Sequence, residues 1–342
     1  MKKEFQDIFA HSFDTDAAWR RWFFGEVVEE EQIRLASDAK GRAASALLLQ
    51  PFDFLFHKER VPSMYMSCVG TRPEARSKGL ASHLIVDSLI EMRESGTVFC
   101  QLIPASDHLY FFYDHFGFAT VFYVDRERYT AVHPFDGGKG EAVEPTFELF
   151  SRLEAQRACG PQHSEADFRH AMEDVALDKG WTLASADEEG HGAILFATPS
   201  DDGVHVKSLL ADDETVRLAV LAQLRTKVGE KSIAVDGPPL SGEKAFLRSF
   251  GMLRVTDAMG ALTALARAYP HLRQTIRLRD ELIEANSGTY ELRDGHCQRT
   301  ESEKASLEVD VGTLAALLFG SSKMGEVFDL PSRRPYMALM LE

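Results

Sequence analysis

The sequence predicts an α+β protein built from successive mixed-sheet modules, and three observations predict it. Apolar residues at helical spacing open the chain, and short strands follow; then a strand, a glycine-containing loop, a helix and another strand come in succession. The same order of elements returns in the middle of the chain, after a stretch rich in proline and glycine. At 342 residues the chain also exceeds what one hydrophobic core usually serves, so two or three domains are expected.

Taken in order, Phe5, Ile8 and Phe9, then Trp19, Trp22 and Phe23, predict a helical region from Phe5 to Val28. Gln32–Ala36, Ala43–Phe54 and Met64–Val69 read as strands, the first two joined by the polar turn Asp38-Ala39-Lys40-Gly41. A helix from about Leu80 to Arg93, stopped by Gly96, leads into the apolar strand Thr97–Ile103. His133-Pro134-Phe135-Asp136-Gly137-Gly138-Lys139-Gly140-Glu141 lacks hydrophobic periodicity and reads as a linker, which places a first domain at residues 1–135. A second domain, 145–256, holds strands Trp181–Ala186, Ala193–Thr198 and Val204–Leu210, a helix Glu214–Val228 and a strand Ser232–Asp236. From Asp257 a new amphipathic pattern begins with Ala258, Leu262 and Leu265, opening a third domain, 257–342. It reads as a helix to Tyr269, strands Gln274–Arg279, Ser287–Leu292 and Ser306–Val311, and a helix Gly312–Phe319.

Composition narrows the function classes. With 44% hydrophobic and 27% charged residues this is an ordinary globular chain, and its net charge of −15 (38 − 53) comes with no basic segment. Such a surface repels nucleic acid phosphates and gently favours cationic small molecules. No run of about 18 apolar residues appears and charge follows Met1 at once, so a cytoplasmic protein without a membrane partner is expected. Cys68, Cys100, Cys159 and Cys297 are scattered, which indicates neither a zinc site nor a disulfide framework. No metal is expected.

The strongest local signal is Cys68-Val69-Gly70-Thr71-Arg72-Pro73-Glu74-Ala75-Arg76-Ser77-Lys78-Gly79-Leu80-Ala81-Ser82, a loop between a strand and a helix. Backbone N–H groups at a helix N-terminus bind a diphosphate through unsatisfied donors and the positive end of the helix dipole. Gly79 permits close approach of the backbone, Ala81 leaves space, and Arg76 and Lys78 add positive charge. Neither a Walker loop nor a dinucleotide fingerprint is present. Arg76-Ser77-Lys78-Gly79-Leu80-Ala81 after a strand resembles the R-x-x-G-x-A pyrophosphate motif of the GNAT superfamily of acetyltransferases. Downstream, Phe111-Phe112-Tyr113-Asp114-His115-Phe116-Gly117-Phe118 resembles the aromatic segment that ends the GNAT core.

The resemblance implies a GNAT mixed sheet, acetyl-CoA as cosubstrate, and Arg76 to Ser82 as its pyrophosphate cradle. It also implies that Val69, Gly70 and Thr71 line the acyl and pantetheine arm, with the main chain polarising the thioester, and that Tyr113 protonates the departing thiolate. On its own residues, Tyr113 also suits a core position in the cluster with Tyr110, Phe111, Phe112, Phe116 and Phe118. The middle domain reads as a degenerate copy. Leu247 stands where the tyrosine would, and Leu210-Ala211-Asp212-Asp213-Glu214-Thr215-Val216-Arg217 has no glycine and three acids where a diphosphate would sit.

In the last third, Arg254-Val255-Thr256-Asp257, the segment Asn286–Leu292 and Val309–Gly320 resemble the sterol-carrier-protein-like domain of the enhanced intracellular survival (Eis) family of acetyltransferases. In that family the terminal carboxylate serves as general base, which carried over is the α-carboxylate of Glu342; the apolar run Tyr336–Leu341 before it suits a buried tail or an edge strand. The family also implies homo-oligomers. Ser77 departs from relatives that place a second arginine there. Trp19, Trp22 and Phe23 suit either an aromatic wall for a cationic amine or a helix core. Two functions remain: an N-acetyltransferase acting on a primary amine of a small cationic molecule or a lysine, and a non-catalytic acyl-CoA or apolar-ligand-binding sensor or carrier.

Overall fold

A computed structural model describes residues 1–157, 159–238, 247–302, 304–319, 328 and 335–341. Two compact units each use two segments of chain: Met1–Val121 with Gly251–Pro331, and Phe122–Phe250 with Ser332–Glu342. Among the described residues no helix is long and apolar enough to cross a membrane.

The first unit opens with α1 (Lys2–Ser12) and α2 (Ala17–Trp22). The single helical region expected over Phe5–Val28 is interrupted. Phe13 is extended, and Asp16 restarts the helix by accepting from the N–H groups of Ala18 (2.6 Å) and Trp19 (3.3 Å). α2 then passes into a π turn, Phe23–Val27. Strands β1 (Ile33–Ser37), β2 (Ala43–Phe56) and β3 (Glu59–Thr71) pair antiparallel; α3 (Leu80–Glu94) follows, and β4 (Phe99–Leu102) lies parallel to β3. α4 (Asp107–Asp114) and β5 (Ala119–Tyr129) close this segment.

Two irregularities shape β3. Its register to β2 passes from Ser67–Leu48 to Gly70–Ala46, so Cys68 and Val69 together face Leu47; this is a β-bulge, with Cys68 at φ +53°. On the other side β3 pairs with β4 only over Ser63–Tyr65 against Phe99–Gln101. Beyond Tyr65 the two parallel strands part.

In the second unit come β6 (Glu141–Val143), α5 (Phe147–Ala155), β7 (Cys159–Gln162), α6 (Glu165–Leu177), β8 (Trp181–Ala186), β9 (Gly192–Ser200), β10 (Gly203–Ala211), α7 (Glu214–Val228), β11 (Ile233–Gly237) and β12 (Leu247–Val255). The stretch expected as a linker is packed. Phe135 is 2% exposed in a cluster with Leu195, Val220 and Leu224, and a Cβ on Gly138 would stand 2.6 Å from the Ala219 nitrogen. Absence of side chains lets the chain run against α7. The unit repeats the first one's plan: β8, β9 and β10 are antiparallel, β10 is bulged at Lys207, and β11 lies parallel to β10 only over Val204–Val206.

The chain's last described residues also belong here. Tyr336, Met337 and Met340 are buried; Tyr336 N–H donates to the Cys159 carbonyl (3.0 Å), and its hydroxyl donates to Ser208 Oγ on β10 (3.1 Å). Residues 335–341 form no regular strand, so of the two readings of this run the buried tail holds.

The first unit's second segment contributes the end of β12, whose Met252–Val255 pair antiparallel with Phe99–Leu102. It continues through α8 (Ala258–Ala268), β13 (Gln274–Arg279), β14 (Gly288–Arg293), β15 (His296–Thr300), β16 (Leu307–Asp310) and α9 (Val311–Leu318). These strands form a separate sheet in the order β15-β14-β13-β16, antiparallel except for the parallel pair β13–β16.

Candidate active site

The cradle expected from sequence is a helix start left open. Gly79, at φ +76°, precedes α3 without any side-chain cap, and the first turn, which carries Leu80, Ala81 and Ser82, has no acidic residue. Its leading N–H groups and dipole are thus offered to an anion. Ser77 at φ +59° and Gly79 turn the loop, and Arg76, Ser77, Lys78 and Gly79 are exposed. Arg76 Nε donates to the Thr71 carbonyl (3.1 Å) and Lys78 Nζ to the Glu74 carbonyl (2.8 Å), so both cations lie folded along the loop.

Val69, Gly70 and Thr71 form the bulged end of β3, at the part of the strand that has left β4. Gly70 is required by its neighbour: a Cβ there would lie 2.7 Å from Ser12 Oγ and 3.5 Å from the Phe13 ring. α1 is therefore part of the site's wall. It is tied there by Arg72, which pairs with Asp7 and donates through Nε to the Ala43 carbonyl (2.9 Å). Neither Ser12 nor Arg72 stands out in the sequence as a site residue.

Tyr113 sits at the end of α4, 7% exposed, in one apolar cluster with Leu49, Met66, Leu84, Ile85 and Cys100, against which Val69 packs. Burial, and after it the neighbouring Cys100, pushes its phenol well above the usual tyrosine range. The group therefore stays protonated and able to donate. The core environment and the tyrosine's place beside β3 and α3 coexist. Behind it, Phe118 N–H donates to the Tyr113 carbonyl (3.4 Å) and Gly117 N–H to that of Asp114 (2.8 Å), with Gly117 at φ +78°, which closes the helix in a Schellman turn.

Trp19, Trp22 and Phe23 gather in a different cluster. Trp19 stacks on Phe23 at 4.6 Å and on Phe9 at 6.2 Å, and Phe9 meets Phe13 at 4.7 Å. Phe23 is only 1% exposed and forms the floor of this cluster, while Trp19 and Trp22 keep part of their surface open. Glu342 lies outside the described residues.

The matching helix start in the second unit is closed. Asp213 caps α7, accepting from the N–H groups of Thr215 (2.8 Å) and Val216 (3.1 Å), and Asp212 is held by Arg152, Gln156 and the Gly192 N–H. Its own carboxylate occupies the place of an anion. Metal-ligand atoms of Asp187, His191 and Asp213 come within 4.8 Å of one another. Their carboxylates are already engaged: Asp187 holds the hairpin turn through the N–H groups of Glu189 and His191, and Asp213 holds its cap.

In the first unit an open helix start thus follows a bulged, splayed strand, with a buried tyrosine beside it. In agreement, residues 2–121 match the family model of the acetyltransferase (GNAT) domain and residues 259–329 that of the sterol carrier protein domain. The chain thus carries a GNAT acetyltransferase domain at its N-terminal end and a sterol carrier protein domain at its C-terminal end. Its fold is shared with Eis1 from Mycobacterium abscessus at 15% identity and TM-score 0.75, over 98% of this chain and 96% of that one. It is also shared with a GCN5-related N-acetyltransferase from Anabaena variabilis (17% identity, TM-score 0.77, 98% and 96% covered). A GCN5-related N-acetyltransferase from Kribbella flavida gives 19% identity and TM-score 0.74 over 98% and 96%. No curated protein matches the chain by sequence.

Proposed function

We propose that this chain transfers an acetyl group from acetyl-CoA to a primary amine of a small cationic molecule or of an exposed lysine. The observation that carries the reading is the uncapped, acid-free start of α3 at Gly79, placed directly after the bulge that frees the end of β3. The diphosphate sits on the N–H groups of Gly79 to Ser82, where Arg76 and Lys78 unfold toward it. Main-chain N–H groups of Val69 to Thr71 polarise the thioester carbonyl as its oxygen gains charge. The amine nitrogen attacks the carbonyl carbon, the C–S bond breaks, and the thiolate takes the proton of Tyr113. The proton lost by the amine passes to a base, for which the α-carboxylate of Glu342 is our candidate. Trp19 and Trp22, backed by Phe23, offer π faces to the acceptor cation.

The test is release of free thiol from acetyl-CoA with a panel of primary amines. Tyr113→Phe should lower kcat by about a hundredfold or more, the usual scale for a general acid, with the acetyl-CoA dissociation constant unchanged. A chain extended past Glu342 should lose turnover in the same way. Acetyl-CoA binding without thiol release for any amine favours the sensor reading, and absence of acetyl-CoA binding overturns the cosubstrate.

A further inference from the structure

Arg254 is 0% exposed, on a strand whose neighbours Met252, Leu253 and Val255 are all buried and apolar. Withdrawing a guanidinium from water is costly unless its donors are used and its charge is met. Here they are. Nε donates to the Phe116 carbonyl (2.6 Å), one terminal nitrogen to the Val255 carbonyl (2.7 Å) and the other to Asp280 Oδ1 (2.7 Å). Asp280, itself buried, also accepts from the N–H groups of Leu282 (3.1 Å) and Ile283 (3.0 Å) and from Asn286 Nδ2 (3.0 Å). Asn286 then ties back to the Thr256 carbonyl (3.0 Å) and the Ala258 N–H (3.1 Å).

Core packing alone calls for an apolar residue at position 254, so the arginine needs another reason. Its contact beyond the C-terminal segment supplies one. Phe116 belongs to the Schellman turn that closes the helix of Tyr113, and its carbonyl is among those a helix end leaves without an internal partner. The same turn is pressed from a second side, since a Cβ on Gly117 would meet Val311 Cγ1 at 2.5 Å. Arg254 and Val311 both come from the second segment of the unit.

We propose that Arg254, locked by Asp280 and Asn286, is a positioning residue for Tyr113, and that the sterol carrier protein domain serves acyl transfer by holding this turn. The proposal rests on the reading of Tyr113 as the acid. It gives the C-terminal domain a mechanical part in the chemistry, whatever ligand that domain does or does not bind.

The test uses the full chain with both charges removed together, Arg254→Met with Asp280→Leu, so that no buried charge is stranded. We expect a cooperative transition at a lower melting temperature, because the Phe116 and Val255 carbonyls, the Leu282 and Ile283 N–H groups and the Asn286 amide lose a partner, with unchanged acetyl-CoA affinity and KM and kcat reduced tenfold or more. A folded double variant with native kcat, alongside a Tyr113→Phe variant that has lost turnover, overturns the positioning role alone. Native turnover in Tyr113→Phe overturns the reading beneath it. Should the double variant fail to fold, Asp280→Asn is examined by ¹⁹F NMR of protein carrying 3-fluorotyrosine, the resonance of position 113 being assigned by its loss in Tyr113→Phe. A shifted or doubled line supports the proposal, and an unmoved single line overturns it.

Discussion

Two aspartates and one tyrosine show how differently burial acts on an acid. For Tyr113 burial is the leading influence and keeps the proton on. For Asp236, 4% exposed, burial also favours the neutral form, but hydrogen bonds from Arg126 and His205 outweigh it and hold the carboxyl at about 2. A carboxyl depressed in the folded state gives stability that is complete above its unfolded value and is lost as pH falls toward the folded one. The window is therefore from about pH 4 down to about 2, with a contribution of about 2 kcal/mol. Acid titration of stability should be steep there in the native protein and flatter in Asp236→Asn; equal slopes would show that the pair does not govern acid unfolding. Asp280 uses its oxygens instead to gather one guanidinium, two N–H groups and an amide around a single point.

At the scale of elements, the comparison of α3 with α7 carries the functional argument. Both follow a bulged strand, yet α7 begins with an aspartate cap and α3 with a bare glycine. Helix stability is thus given up at α3, since a good cap is worth about 1 kcal/mol. Ala81→Asp should reverse the trade. An acid in the first turn stabilises the helix by roughly 0.3–1 kcal/mol, while acetyl-CoA affinity should drop tenfold or more by repulsion of the diphosphate. Calorimetry and a binding titration read the two effects separately, and undiminished affinity would place the diphosphate elsewhere.

This contrast was legible in the sequence, because Gly79 and the acids at Asp212, Asp213 and Glu214 are local signals. Trp181–Ala186, Glu214–Val228 and Gln274–Arg279 likewise form as expected. The break in the first helical region is masked in the sequence, although Thr15-Asp16 offers a cap, because apolar spacing resumes in phase across it. Cys159-Gly160-Pro161-Gln162 resembles a loop, and its order depends on a distant partner: a Cβ on Gly160 would collide with the Tyr336 carbonyl. In the sequence Arg254 reads only as part of the motif Arg254-Val255-Thr256-Asp257. A lone charge in the apolar run Met252-Leu253-Arg254-Val255 was the signal that it needed a buried partner, but its partners lie on elements remote in sequence.

Across the whole molecule, two units of one plan have been put to different uses. In the first the parted strands leave β3 open beside Tyr113 and α3. In the second, the bulged strand β10 receives the chain's own tail through Tyr336 and Ser208, and the His163 ring, paired with Glu154, lies 3.3 Å from the Leu339 carbonyl. Removing the chain from Tyr336 onward strips buried Tyr336, Met337 and Met340 from this core. A large apolar side chain is worth about 1.5–3 kcal/mol when buried, so the loss approaches the margin of a whole domain. The unfolding transition of this unit should fall by more than about 10 °C; a truncated chain that melts like the native one would show the tail to be a passenger.

The interleaving of segments sets a timetable for biosynthesis. When Val121 has left the ribosome the acetyltransferase domain is out without Arg254 or Val311, and when Phe250 has left it the second unit is out without Ser332–Glu342. Neither unit is complete when its larger part emerges. Domains generally fold as units during synthesis, the N-terminal one first; here the first is completed only by Gly251–Pro331 and the second only by Ser332–Glu342. On the role proposed for Arg254, a chain interrupted before Gly251 carries Tyr113 without the contacts that Arg254 and Val311 make to its turn.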